Sequence, residues 1–177
     1  QVIDRANENT IGYYEFISDI VQAEAMAKQQ RRIEYLINNS RLPQPLKMLA
    51  DFDFDFQPKL KRKLIMDLAS LGFIERNESI LLIGDNGTGK SHIARSLALI
   101  ACQGGYKTYY TTCSELINDL NTGVYEKTLD KKMRKYINPE LLLIDEMGHD
   151  RLELQVIKEA HLLFKVIDQR YKDNKSL

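Results

Sequence analysis

Apolar residues at helical spacing dominate the first part of the chain. Across residues 11–39 Phe16, Ile20, Ala23 and Ala27, then Ile33, Leu36 and Ile37, fall on one side, with almost no breakers between them. That predicts one or two helices. Asn39, Ser40, Pro43 and Pro45 end the region, since proline cannot continue a helix and restrains the residue before it. Asp51-Phe52-Asp53-Phe54-Asp55-Phe56 then switches to a strict period of two. In an extended chain its three phenylalanines share one face and its three aspartates the other. Residues 60–71 predict a helix closed by Gly72 as a left-handed cap. Beyond it come an apolar strand (79–83), a helix (93–100), a second strand (106–111) after the Gly104-Gly105 turn, and a helix (114–120) with Ser114 or Thr112 as its cap. Asn121-Thr122-Gly123 is expected to break that helix. A basic helix (125–136), a buried third strand (141–144) after Pro139 and a long amphipathic helix (152–171) complete the pattern. Strands alternating with helices imply crossover connections and a parallel sheet. The expected organisation is a helical N-terminal segment, residues 1–45, ahead of an α/β core, residues 46–177.

Composition narrows the class without choosing a function. The 177 residues are 44% hydrophobic and 28% charged, as in a soluble globular chain. A formal net charge of +0 leaves any polyanion contact to local patches. Cys102 and Cys113 have no metal or redox spacing and read as buried thiols of a reducing cytoplasm. No apolar stretch is long enough to span a bilayer and no secretory signal is visible, so the expected location is cytoplasmic, with no membrane contact. The first residue is Gln1 rather than Met, and the true start is expected upstream.

Chemistry enters at Gly84-Asp85-Asn86-Gly87-Thr88-Gly89-Lys90-Ser91, which spells GxxxxGK[ST] between the apolar run Ser79-Ile80-Leu81-Leu82-Ile83 and a helix. Glycines let such a loop wrap closely, so that backbone N–H groups point at phosphate oxygens, and the following helix adds its positive end. The motif assigns Lys90 to the β- and γ-phosphates and the Ser91 hydroxyl to Mg²⁺, and His92 completes the candidate nucleotide-binding set. His92 itself reads as packing or surface rather than as a catalyst. Downstream, Leu141-Leu142-Leu143-Ile144 ends in Asp145 and Glu146. Ligands of open parallel sheets bind at the carboxyl ends of strands, so both acids are expected to face the loop. Asp145 is then a second Mg²⁺ partner, and Glu146 is positioned to orient and deprotonate an attacking water. The Asp-Phe repeat reads as a connector clipped to the core by its aromatic side, or as a contact for the nucleotide base.

These residues carry a resemblance. GDNGTGKS paired with LLLIDE looks like the AAA+ branch of P-loop ATPases. The connector LPQPLKMLADFDFDFQP, the run ACQGGYKTYYTTCSELINDL and the segment LLLIDEMGH together resemble the IstB-like transposition helpers, which are similar in turn to the DnaC helicase loaders. The likeness runs from about Tyr14 to Leu177. It implies an ATP- and Mg²⁺-dependent ATPase that forms a homo-oligomer on DNA, selects target DNA and stimulates a partner transposase. The alternatives it leaves are a loader of a replicative helicase and a non-catalytic remnant. An AAA+ sheet carries five parallel strands in the order 5-1-4-3-2, and this chain supplies the first three, so the core is expected to be C-terminally incomplete. The strand before Gly84 and the strand ending at Asp145 are then expected to lack a shared neighbour. The polar sensor residue and the arginine finger would lie beyond Leu177, so the chain alone is expected to bind ATP poorly and turn it over slowly.

Two basic clusters are candidate DNA contacts. One is Lys28, Arg31 and Arg32 with Arg41, which reads equally as a contact to a neighbouring subunit or partner. The other is Lys127, Lys131, Lys132, Arg134 and Lys135, of which Lys131, Lys132, Arg134 and Lys135 are expected on the phosphate backbone, or else on a solvated helix face. His149 is a weak candidate beside the acids, and His161 has no partner at ligand spacing. Of Tyr109 and Tyr110 one is expected in the core and one at the surface. Thr111 and Thr112 are expected to cap a helix or to position water.

Overall fold

The computed structural model describes residues 12–58, 60–147 and 156–177. His149 and the expected helix start at residue 152 lie outside the described residues. The chain divides into two units, Gln1–Tyr35 and Leu36–Leu177. Helix α1, Tyr13–Asn39, is unbroken, and none of its residues is buried. Among the described residues no helix is long and apolar enough to cross a membrane.

The second unit is built on two parallel strands, β1 (Thr108–Thr112) and β2 (Leu141–Asp145), paired from Thr108 with Leu141 to Thr112 with Asp145. Successive residues of a strand point to opposite faces, and here helices cover both. On one face Tyr110 and Leu141 pack with Ala98, Leu99, Ala101 and Cys102 of α4 (Lys90–Gln103). On the other, Tyr109 and Leu142 pack with α5 (Cys113–Tyr125), α6 (Leu129–Ile137) and α7 (Val156–Lys172), through Leu116, Leu120, Met133, Tyr136, Leu162 and Val166. Both tyrosines are therefore buried, at 9% and 6% exposure, and the expectation of one at the surface fails because neither face of the sheet is open. Beyond β1, Ser40 shields the sheet edge by accepting a hydrogen bond from the Tyr110 N–H at 2.7 Å.

The chain's last residues fall on the other side of β2. Ser176 bridges Leu141 in parallel and accepts from the Leu142 N–H, while the Ile80 N–H donates to Leu177 O at 2.9 Å. Residues 176–177 therefore lie between residue 80 and β2, with β1 on the far side of β2. The strand before Gly84 and β2 thus do share a neighbour, at the first rung. A cleft of about 610 Å³ lies between Ile80, Leu81 and Leu82 on one side and Leu141, Leu142, Leu143 and Ile144 on the other, and opens onto Asn86–Ser91 and Asp145. The strand expected over residues 79–83 is not formed: among the described residues only Ile80 makes a backbone hydrogen bond there, to Leu177 O, and Leu81 and Ile83 stand exposed.

Three local expectations are corrected. Helix α2 (Arg62–Ala69) is followed by Leu71, not Gly72, in the left-handed region (φ 66), and Gly72 opens the short α3 (Gly72–Glu75). The left-handed leucine costs about 1–2 kcal/mol, offset by burying its side chain against Gly104, where a Cβ would approach Leu71 Cδ1 to 2.8 Å. Helix α5 passes straight through Asn121-Thr122-Gly123. Gly123 has an ordinary helical backbone, and its bare Cα admits α6 closely, since a Cβ there would lie 3.1 Å from Leu129 Cα. The Asp-Phe repeat is not extended: it follows a 3₁₀ turn (Leu49–Asp51) and bends where the Asp55 N–H donates to Asp53 Oδ1. Phe52 and Phe54 therefore pack on Ile65, Ile93 and Leu97, while Phe56 is exposed.

Candidate functional site

Backbone geometry builds the loop first. Gly87 and Gly89 take φ of 77° and 88°, a region that glycine enters at no steric cost, and Gly89 opens α4. The loop is closed on itself: Lys90 Nζ donates to Gly84 O at 2.7 Å and Asp85 O at 2.6 Å, and Thr88 Oγ1 donates to Asp85 O at 2.8 Å. The connector sits behind it. Phe52 meets the His92 ring edge-to-face at 5.4 Å and Phe54 at 4.9 Å, and His92 Nε2 is 2.9 Å from Met48 O. This is the clip that the aromatic alternation suggested, made by two phenylalanines rather than three.

The two halves of the site meet at Asp145. Ser91 Oγ donates to Asp145 Oδ1 at 2.8 Å across 54 residues of sequence, and the Glu146 N–H donates to the same oxygen at 3.0 Å. Oδ2 accepts from Arg95 Nη2 at 2.9 Å, Arg95 Nε at 3.2 Å and the Tyr110 hydroxyl at 3.3 Å. Burial pushes the Asp145 carboxyl up, but the donors of Ser91, Arg95 and the Glu146 backbone outweigh it and hold the group below the ordinary carboxylate value. Asp145 is thus an anion at neutral pH with both oxygens engaged. Glu146 is exposed and takes φ 60°, so the backbone turns there, and both acids line the cleft that opens onto the phosphate loop. Arg95 and Tyr110 carried no sequence signal of their own. Four-residue spacing puts Arg95 on the Ser91 face of α4, but nothing in the sequence says which carboxylate that face meets.

Of Thr111 and Thr112, Thr112 is used as a cap. The Thr112 hydroxyl accepts from the Glu115 N–H at 3.2 Å and Glu115 reaches back to the Thr112 N–H, a reciprocal capping box, while Thr111 donates to Thr112 O. The basic helix α6 divides by face. Lys135 pairs with Asp119 at 2.8 Å and lies 5.6 and 5.1 Å from the Tyr109 and Tyr136 rings, and Lys132 pairs with Asp119 and Glu126. Lys127, Lys131 and Arg134 point to solvent. Of the other cluster, Arg41 donates to the Tyr109 hydroxyl at 3.0 Å and Arg31 pairs with Glu24.

The model of the family described as IstB-like ATP binding protein matches residues 1–177. The chain belongs to that family. Among relatives of this IstB-like chain, a Geobacillus stearothermophilus protein named as an ATP-binding protein of insertion sequence IS5376 is 41% identical over 167 residues, covering 94% of this chain and 65% of its own length. Its Pseudomonas aeruginosa counterpart from insertion sequence IS21 is 32% identical, covering 97% and 63%. The IstB-like chain thus spans about two thirds of the length of these relatives. In three dimensions it is similar to a DNA replication initiation factor, with a TM-score of 0.60 at 18% identity over 75% of this chain and 40% of that one. It is also similar to AMPPCP-bound DnaA from Aquifex aeolicus, with a TM-score of 0.58 at 18% identity over 77% and 41%. These likenesses show that the chain shares the α/β fold of those two proteins.

Proposed function

We propose that the chain is the ATP-binding part of an insertion-sequence helper ATPase. The observation that carries this is the 2.8 Å hydrogen bond between Ser91 Oγ and Asp145 Oδ1, which joins the phosphate loop to the acidic strand end. A hydroxyl and a carboxylate side by side form the small, hard oxygen set that suits Mg²⁺, which keeps most of its shell for water and nucleotide phosphates. Ser91 and Asp145 would hold the ion, whose chemistry there is to neutralise phosphate charge. Lys90 leaves its two loop carbonyls to meet the β- and γ-phosphates, the backbone N–H groups of residues 85–90 cradle them, and exposed Glu146 orients the attacking water. The conformational change on hydrolysis, in a homo-oligomer assembled on DNA, would then act on a partner transposase. The names of these relatives, both from insertion sequences, favour this over the helicase loader.

Titrating a fluorescent ATP analogue tests the site. Lys90→Ala is expected to weaken binding by about ten- to hundredfold, the loss of one hydrogen bond to a charged group. Its urea midpoint should barely move, since Lys90 is partly exposed and water can satisfy both carbonyls. Equal affinity in the two proteins would remove the assignment.

The same reading places DNA phosphates on the solvent side of α6. Replacing Lys131 and Arg134 with glutamate is expected to lower duplex affinity and flatten the plot of log affinity against log salt, by about 0.9 for each phosphate no longer neutralised. Lys132→Ala and Lys135→Ala should instead lower thermal stability and leave that slope alone, because their partners are within the fold. An unchanged slope in the doubly charge-reversed protein would clear α6 of this role.

A further inference from the structure

Arg95 lies outside both motifs yet faces the carboxylate on which they converge. Ser91 and Arg95 are four residues apart on α4 and so share a face, and they divide Asp145 between them: Ser91 at Oδ1, Arg95 at Oδ2 through both Nε and Nη2. Two donors from one rigid guanidinium on one oxygen restrict rotation of the carboxylate as a single flexible ammonium cannot. Tyr110 braces the pair. Its register position on β1, two before the partner of Asp145, puts it on the same face of the sheet. Its hydroxyl accepts from Arg95 Nη2 at 3.0 Å and donates to Asp145 Oδ2 at 3.3 Å, and the guanidinium carbon sits 5.2 Å from the ring centre. All three groups are buried or half-buried, so solvent does not supply these contacts.

We propose that Arg95, braced by Tyr110, is the positioning residue of the metal-binding carboxylate, holding Asp145 Oδ2 so that Oδ1 alone is turned toward Ser91 and the incoming Mg²⁺. This rests on the ATP-site reading above. A second role for Arg95 is separable by sign. Were it only a neighbouring positive charge, it would repel a divalent cation, and removing it would strengthen metal binding. As a positioning residue its removal weakens metal binding despite the relief of repulsion.

The test is the affinity of the full chain for the fluorescent ATP analogue, with Mg²⁺ and with EDTA, in the unaltered protein and in Arg95→Met, Arg95→Lys and Tyr110→Phe. The unaltered chain is expected to bind more tightly with Mg²⁺. Arg95→Met should keep the EDTA affinity and lose about tenfold of the Mg²⁺ enhancement, the size of one charge-assisted contact. Arg95→Lys should recover part of it, and Tyr110→Phe should fall between. A purely structural role would move the melting temperature and leave the ratio of the two affinities unchanged. An unchanged or larger Mg²⁺ enhancement in Arg95→Met overturns the proposal. If that variant does not fold, an unchanged ratio in both Arg95→Lys and Tyr110→Phe overturns it equally. No binding, or no Mg²⁺ enhancement, in the unaltered chain strikes the ATP-site reading itself.

Discussion

Arg170→Ala is expected to destabilise the chain by about 3–5 kcal/mol, enough to leave much of it unfolded at ambient temperature. Arg170 is a cation with 1% exposure, held by carbonyls rather than by a carboxylate. Nη1 donates to Tyr136 O at 2.8 Å, Pro139 O at 2.9 Å and Ile137 O at 3.3 Å, and Nη2 donates to Glu140 O at 3.1 Å and to Ser176 O. Two of these carbonyls belong to the last turn of α6, which has no intrahelical donors of its own. The others lie where the chain enters β2 and where Ser176 pairs beside it. One side chain thus joins α6, α7, β2 and the C-terminal residues. Burial pushes the guanidinium down to about 10, so it remains charged at neutral pH. Arg170→Met should be nearly as damaging as alanine, since it fills volume but removes the donors to Tyr136 O, Pro139 O and Glu140 O, each a cost of about 1–3 kcal/mol when buried, while Ser176 O keeps the Leu142 N–H and Ile137 O keeps Lys175 Nζ. Arg170→Lys should fall between, because an ammonium lacks the planar fork that reaches both groups of carbonyls. Urea denaturation measures all three, and a loss below about 1 kcal/mol for alanine would mean that water or relaxation satisfies those carbonyls.

What was legible in the sequence follows from how local each cause is. The phosphate loop is legible because its residues are demanded by backbone conformation, and Gly87 and Gly89 have the positive φ that only glycine takes freely. The cap of α5 is half legible: the sequence offers Ser114 or Thr112, and the reciprocal bond with Glu115, within one turn, decides for Thr112. Parallel pairing of β1 with β2 follows from the crossover rule, and that rule with the apolar run brings Asp145 to Ser91. Expectations fail where a distant partner decides. Asn121-Thr122-Gly123 looks like a helix end until α6 packs on Gly123, and Gly72 looks like the left-handed residue until Leu71 is needed inside. Tyr109 and Tyr110 look like one inside and one outside until α5, α6 and α7 cover the second face.

Arg95 and Arg170 show the sharper limit. Each is one of many basic residues on an amphipathic helix, where the ordinary reading is a solvated face. Their meaning lies in acceptors that arrive from 50 and about 30 residues away in sequence. The basic helix α6 divides for the same reason, since Asp119 of α5 engages Lys132 and Lys135 and leaves Lys131 and Arg134 to solvent. Spacing on the helix alone could not separate the four.

Gly89→Ala is expected to cost about 2–5 kcal/mol, from two sources that separate cleanly. The first is backbone: at φ 88° an alanine is strained by about 1–2 kcal/mol. The second is contact: a Cβ at Gly89 would lie 2.5 Å from Phe52 Cε2 and 3.1 Å from Cζ, so the ring must move. Phe52 is not free to do so, being fixed edge-to-face against both His92 and Phe54, and forced overpacking of this kind costs about 1–3 kcal/mol. Gly87 is the internal control. Its φ of 77° imposes the same backbone strain, but a Cβ there meets nothing within 4 Å, so Gly87→Ala should cost only the first part. Adding Phe52→Ala to Gly89→Ala should recover the contact part and not the backbone part, giving a coupling of about 1–3 kcal/mol in a double-mutant cycle. Urea melts of the parent, the single variants and the double variant supply every term. Equal losses for Gly87→Ala and Gly89→Ala, with no coupling to Phe52, would show that the aromatic connector does not bear on the loop. The expected inequality would instead tie the phosphate loop mechanically to the Asp-Phe segment through one ring, so that displacing that segment displaces the residue from which α4 and its positive end begin.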